Sequence, residues 1–247
     1  DSNSTVVRDC VITDMNFSRL GGSGSHLHAA INYTRSNESL IINNTVQTNS
    51  TSSQHMGMYF DRSTNATITD NTIFTKNSSL SDGIRVTNNS LIERNSIIAS
   101  GQNKIVRGVY VSGANVTVRN NTILANGSSV NGVLVIGANN TVIDRNVIVV
   151  NGTTIISAIA STGSSGTLLI QNNTITSTGT ADRHIGINLQ PGPGIVSVLR
   201  NRIFTEGTFL NSGLLMNGGV DAIVEFNNIT ATGPQSYAIF SANGDNS

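Results

Sequence analysis

Val118-Arg-Asn-Asn121-Thr-Ile123 returns 25 residues later as Ile143-Asp-Arg-Asn146-Val-Ile148, and then as Ile170-Gln-Asn-Asn173-Thr-Ile175. Towards the N-terminus the same phrase reads Ile92-Glu-Arg-Asn95-Ser-Ile97, Ile68-Thr-Asp-Asn71-Thr-Ile73 and Ile41-Ile-Asn-Asn44-Thr-Val46. Towards the C-terminus it reads Val198-Leu-Arg-Asn201-Arg-Ile203 and Val224-Glu-Phe-Asn227-Asn-Ile229. Steps between successive asparagines are 27, 24, 26, 25, 27, 28 and 26 residues. A degenerate first copy, Val6-Val-Arg-Asp9-Cys-Val11, stands 35 residues before Asn44, and the excess holds the Gly21-Gly-Ser-Gly-Ser25 insertion. A fixed period of this length is the mark of a solenoid and outranks any single motif.

A second phrase falls later in each unit: Gly57-Met58-Tyr-Phe60, Gly83-Ile84-Arg-Val86, Gly108-Val109-Tyr-Val111, Gly132-Val133-Leu-Val135, Gly186-Ile187-Asn-Leu189 and Gly213-Leu214-Leu-Met216. Ala30-Ile31, Ala158-Ile159 and Ala238-Ile239 take the same slot in the other units. Each unit therefore offers three short runs that alternate apolar and polar, punctuated by Gly, Asn and Ser. Strands this short bury an apolar face only by stacking on their own copies, which also pairs every backbone group with the coil above and below. The expectation is an all-β, single-stranded parallel solenoid of about nine coils of 24–29 residues, with three sheets. Propeller blades need repeats of roughly 40 residues, which this period does not supply. The recurring asparagine suits a tight corner with left-handed backbone, its amide bonding the next coil. Asn44, Asn71, Asn95, Asn121, Asn146, Asn173, Asn201 and Asn227 would then form an internal ladder.

These phrases resemble the right-handed parallel β-helix superfamily, pectin-lyase-like in fold, from about Val6 to Phe240. The resemblance implies a right-handed coil in which the run ending at Asn is the second sheet, Thr-Ile the third, and Gly-Ile/Val-x-Val the first. Similar proteins include pectate lyases, polygalacturonases, alginate epimerases, phage tailspikes, adhesin passenger domains and periplasmic accessory proteins for copper enzymes, so the resemblance implies a fold and no single activity.

Composition narrows the classes. Formal net charge is zero and charged residues make up 11%, which removes the clustered cations that nucleic acid or an anionic membrane surface requires. No apolar run reaches the roughly 18 residues of a membrane-spanning helix, so no membrane insertion is expected. The single Cys10 excludes an intrachain disulfide. With no charged and apolar leader ahead of it, Asp1 reads as a mature or excised start. Asn-x-Ser/Thr sequons, among them Asn3, Asn16, Asn32, Asn37, Asn49, Asn65, Asn77, Asn115, Asn126, Asn139, Asn151 and Asn228, offer acceptors for N-linked sugar, but arise by chance in a chain this rich in Asn, Ser and Thr.

The outward column of the first sheet reads Asn32, Tyr59, Arg85, Tyr110, Leu134, Ala160, Asn188, Leu215 and Phe240, without a carboxylate. Glycoside hydrolysis needs two carboxyls about 5–10 Å apart, and the acid, Gly-His-Gly and Arg-x-Lys patterns of the enzymes of this resemblance are missing. No catalytic residue and no cofactor are assigned. Tyr59, Arg85 and Tyr110 are the ligand-binding candidates, with glycans as the ligand. His28 and His55 occupy equivalent positions in adjacent coils and Asp82 lies one position offset in the next, a weak candidate metal set; loop histidines are more simply plain surface residues. Glu93, Arg119 and Asp144 share a second-sheet column and read as a solvated face with weak cross-strand pairs.

The outward column of the third sheet reads Ile12, Gln47, Phe74, Ile98, Leu124, Val149, Thr176, Phe204 and Thr230. Phe74, Ile98, Leu124, Val149 and Phe204 make it an interface candidate, through which the chain would meet a second copy or the rest of a longer protein. Neither end offers an amphipathic capping helix, so residues 1–247 read as one domain or as a segment of a longer solenoid. The reading is a non-catalytic scaffold for adhesion, attachment or assembly, extracellular or on a cell or virion surface, with glycans and its own copies as partners. The alternative is a polysaccharide lyase or hydrolase of the same fold.

Overall fold

The computed structural model describes residues 4–15, 27–49, 54–76, 80–101, 105–137, 139–163, 165–192 and 194–242. The Gly21–Ser25 insertion, His26 and the sequons at Asn3, Asn16 and Asn77 lie outside them, as does the side chain of His28. Everything described is strand and turn, and every strand pairing is parallel.

One sheet holds nine strands in strict chain order: Ser4–Arg8, Glu38–Ile42, Ala66–Thr69, Leu91–Glu93, Thr117–Arg119, Thr141–Asp144, Leu168–Gln171, Ile195–Leu199 and Asp221–Glu225. It is the expected second sheet. The third and first sheets each run from a first rung, Val11–Met15 and Leu27–Thr34, to a last, Asn228–Thr232 and Gln235–Ala242. In the fifth and sixth coils the chain passes from one to the other without a break, in strands Thr122–Ile136 and Val147–Thr162, so hydrogen bonds join the two sheets there.

The interior is a continuous stack of Ile and Val. Ile68, Ile92, Val118, Ile143 and Ile170 from one sheet, and Ile73, Ile97, Ile123, Ile148 and Ile175 from another, are almost wholly removed from solvent. Beside them runs the asparagine ladder, complete at all eight expected positions. From Asn71 onward each Oδ1 accepts from the backbone N–H and from the side-chain amide of the asparagine one coil earlier. For Asn146 both bonds come from Asn121 at 3.0 Å, and Asn146 in turn donates to Asn173 at 2.9 and 3.0 Å. The amide also caps carbonyls, that of Val118 in the coil before and that of Asp144 at its own corner. Buried polar groups that would otherwise destabilise the core are thereby satisfied.

Three expectations need correcting. The left-handed residue of the corner precedes the ladder asparagine: Asn43, Asp70, Arg94, Asn120, Arg145, Asn172, Arg200 and Phe226 all have φ between 52° and 58°. In the first coil the register sits one residue later than its sequence suggests. Val7 pairs with Ile41, Asp9 takes the left-handed position, and the N–H of Cys10 donates to Asn44 Oδ1 at 3.0 Å, so Cys10 stands where the other coils have asparagine. By the same shift Ile12 pairs with Val46 on the inner column, and Thr13 with Gln47 on the outer one.

The sequons have a structural origin. Asn65 and Asn115 hold left-handed backbone, with φ of 59° and 57°, at a second corner, two residues before Thr67 and Thr117. Asn43, Asn120 and Asn172 do the same before ladder asparagine and Thr. A left-handed Asn followed by a strand-starting hydroxyl residue spells Asn-x-Ser/Thr whether or not sugar is attached.

Candidate functional site

The recurring glycine organises the first sheet. Pairing skips it, as between Arg107↔Asn131 and Val109↔Val133, so alternation slips at this point. His55, Val106, Val130, Ile156 and His184, two residues before the glycine slot, belong to one register column. All five are at most 1% exposed, and the apolar three belong to the core. His55 and His184 are therefore interior side chains and not the surface residues expected. The next column, Met56, Asp82, Arg107, Asn131, Ser157 and Ile185, lies on the other side of the strand: Met56 and Ile185 stand outside the main core cluster, Arg107 and Asn131 are half-buried, and the other four are covered.

The metal reading does not assemble. His28 and His55 are register partners, but Asp82 pairs with Met56 and belongs to the column on the other side of the strand. Among the described residues no three His, Cys, Asp or Glu side chains are placed to share an ion.

The Tyr/Arg face does assemble. Tyr59, Arg85 and Tyr110 are successive register partners, and the Arg85 guanidinium lies over both rings, 5.4 Å from the Tyr59 centroid and 4.4 Å from that of Tyr110. Arg107, which the sequence pattern alone does not single out, brings a second guanidinium to within 4.8 Å of the Tyr110 centroid. It also comes within 3.6 Å of the Asp82 carboxylate. A lone alternation count from Val109 puts Arg107 inward; only the slip at Gly108 turns it to this face.

Asp82 is fully buried. At 3.6 Å Arg107 offers charge but no hydrogen bond, and neither carboxylate oxygen accepts one from a described residue. Burial outweighs the attraction of Arg107 and Arg85 and lifts the Asp82 carboxyl to about 6. Tyr59 is raised as well, by burial first and then by the Asp61 carboxylate at the end of its strand.

The Asp82 proton has a measurable consequence. The folded chain keeps it to about pH 6, whereas an exposed Asp releases it near 3.8. Folding therefore binds more protons in that window, and the stability tied to Asp82 is full below the lower value and falls as pH rises through the upper one. The stability of the natural chain minus that of Asp82→Asn should drop by roughly 2–3 kcal/mol between about pH 4 and pH 7. A difference that is flat across that range in denaturant titrations would contradict the burial argument.

The second-sheet charges form a lengthwise chain. Arg94 pairs with Asp70 at 2.8 Å and with Glu93 at 2.9 Å, and Arg119 with Glu93 at 2.8 Å. Burial pushes Glu93 up, but Arg119, Asn120 and Arg94 together hold it below its ordinary value. A shallow groove of about 400 Å³ opens beside this chain, lined by Asn65, Asn89, Asn115, Thr117 and Arg119 among others. Its cation is already paired, and its exposed amides bond one another, Asn115 to Asn89 at 2.9 Å and Asn140 to Asn115 at 3.2 Å. The Arg85 guanidinium, by contrast, has no ion-pair partner among the described residues. The first-sheet column is thus the better candidate. On the third sheet, Phe74, Ile98, Leu124 and Val149 are consecutive register partners, with Thr176 between them and Phe204. Leu124 is 39% exposed and the other four are half-buried.

The parallel coils, the buried Ile stacks and the ladder agree with a comparison against protein families, in which residues 1–123 match the right handed β-helix region. The chain belongs to the right-handed β-helix proteins. No curated protein and no solved structure matches it. The family match reaches about half of this β-helix chain, and the unbroken register carries the same repeat to Ala242.

Proposed function

We propose that this β-helix protein is a non-catalytic surface scaffold, extracellular or on a cell or virion surface, that binds acidic glycans along the Tyr59–Arg85–Tyr110 column. The observation that carries the reading is the Arg85 guanidinium held between two tyrosine rings with no carboxylate paired to it among the described residues. Tyrosine faces stack on the apolar faces of sugar rings, and a guanidinium so placed takes a carboxylate or sulfate in a two-point contact. Parallel coils repeat every ~4.8 Å, so the column presents these groups in a line, as an extended chain requires. Binding without turnover is favoured because Asp82 is sealed from solvent and held beside Arg107, which leaves Asp61 as the reachable acid beside Tyr59 among the described residues, where glycosidic cleavage needs two.

The test is titration of acidic and matched neutral oligosaccharides into the whole chain, with product analysis on the same mixtures. Arg85→Ala should weaken acidic-glycan binding at least ~10-fold, as expected for a charge-assisted contact, and added salt should weaken binding to the natural chain. Equal affinity for neutral glycans, or an Arg85→Ala chain that binds as well, would refute the site. Cleaved product that disappears in Arg107→Ala would replace the reading with the enzymatic one.

A further inference from the structure

The outer face of the third sheet is built as three columns of unlike chemistry. The middle outward residue of each strand belongs to the apolar column Phe74, Ile98, Leu124, Val149 and Phe204, interrupted by Thr176. Short polar side chains flank it on most strands, as Ser96 and Ser100 flank Ile98, and Thr122 and Asn126 flank Leu124. In its middle coils Leu124 and Val147 are apolar and exposed. Among the described residues no strand lies over this face.

The charges of the face are set about that column. On the strand Arg202–Glu206, Ile203 and Thr205 are buried, so Arg202, Phe204 and Glu206 point outward in a row with the aromatic ring in the middle. Both charged ends are exposed, and neither has an ion-pair partner among the described residues. A twofold axis laid along the solenoid, over the middle column, brings that column onto itself and exchanges the two flanks. Phe74, Ile98, Leu124, Val149 and Phe204 then meet their own copies, and Arg202 meets Glu206 twice, once on each side of the paired Phe204 rings. Lys76 falls opposite Thr72, so no like charges meet. Rods run antiparallel with Phe74 on Phe204 would instead set Ile98 against Thr176. Five residues wide and eight coils long, from Thr45–Asn49 to Asn228–Thr232, the face spans roughly 17 by 38 Å. That is about 650 Å² per copy, most of the ~800 Å² that a standard stable interface takes from each partner.

We propose that the third-sheet face is a twofold interface along which two copies of this chain lie parallel, with Leu124 at its centre and Arg202–Glu206 pairs on its flanks. Apolar side chains matched to their own copies supply the burial. The opposed charges select the orientation, as complementary charges do across an interface. The Tyr59–Arg85–Tyr110 column lies on the first sheet, outside this face, so the pairing and the glycan reading stand or fall separately.

Sedimentation equilibrium on the whole chain should give twice the chain mass at micromolar concentration. Leu124→Asp, which changes an exposed side chain and leaves the core alone, should sediment as a folded monomer. Glu206→Arg sets like charges against each other on both flanks and should weaken association at least ~10-fold. Arg202→Glu combined with Glu206→Arg exchanges the two ends and should restore it. Rescue by that exchange is specific to parallel rods, because antiparallel rods would set the new cation at position 206 against Lys76. A natural chain that sediments as a monomer would overturn the proposal, as would a dimer that survives Leu124→Asp or a charge exchange that fails to rescue. So would N-linked sugar on the sequon residues Asn126 or Asn151 of the natural protein, since both stand in the flank that the second copy covers.

Discussion

An Asn146→Leu chain is expected to melt roughly 6–12 °C below the natural one, a loss of about 3 kcal/mol or more converted at the 2–4 °C per kcal/mol usual for chains of this size. Leucine keeps the volume and removes the node. The backbone N–H of Asn121 donates to Asn146 Oδ1 and is left buried with no acceptor, while the Asn121 side-chain amide loses that acceptor and keeps the Ile92 and Arg119 carbonyls. The Val118 carbonyl and Asn173 Oδ1 lose a donor in the same step. Each orphaned buried group costs about 1–3 kcal/mol, far more than a hydrogen bond gains when it is made. The break is also local, because a solenoid coil contacts only its neighbours. Amide exchange at Asn121 and Asn146 should therefore accelerate well before exchange in the third coil does. The control is Asn140→Ala, whose amide lies in the exposed row and whose loss should cost about 1–2 kcal/mol, chiefly through the left-handed backbone at that position. Equal melting of Asn146→Leu and Asn140→Ala would mean that the ladder contributes nothing.

How far this structure can be read from its sequence depends on where the period survives. The outward column from Asn32 to Phe240 is legible residue by residue, because every glycine phrase carries its own alternation and needs no counting across a loop; the register confirms each member. The first coil is not, and a single cause explains both misplacements there. The corner has two polar positions in succession, a left-handed residue and the ladder residue, and short polar side chains serve in either. Asp9 imitates a ladder asparagine while actually occupying the left-handed place, and Cys10 at the ladder offers the next coil only its N–H, its thiol donating to the Arg8 carbonyl at 3.1 Å. With the long first unit removing any outside count, Ile12 slips with it. The histidines are hidden for a different reason. Alternation counted back through Gly57 from the core residue Met58 puts His55 outside, yet both are fully buried. The slip at the glycine carries no sequence mark beyond the glycine itself. The same slip hides Arg107 and sets Asp82 among metal ligands instead of beside a guanidinium.

That glycine gives the second large effect. Gly108→Val is expected to cost about 3 kcal/mol, the upper end for overpacking a well-filled core, or roughly 6–12 °C in melting temperature. A β-carbon at position 108 would run into the Ile123 γ2-methyl and stand 2.6 Å from the Gly132 carbonyl oxygen. One obstacle is core side chain and the other is sheet backbone, so neither retreats without opening the coil. The column is repeated, Gly57, Gly83, Gly108, Gly132, Gly186 and Gly213 each facing an Ile γ2-methyl and the next coil's carbonyl, which is why the residue recurs although no turn there needs left-handed backbone. Ala158 sets the scale. It stands opposite Gly132 in register, between Ser157 and Ile159, and is wholly buried, so one methyl can be absorbed where the neighbouring coil yields. Gly108→Ala should accordingly cost only about 1–2 kcal/mol, and valine, whose branched carbons enter the Ile123 side on top of that, clearly more. Because the slip also aims Arg107 and Tyr110, Gly108→Val should weaken glycan binding at temperatures where the chain is still folded. A valine variant as stable as the alanine one would show that the column is not close-packed, and the recurrence of glycine along it would then need a cause other than steric contact with the next coil.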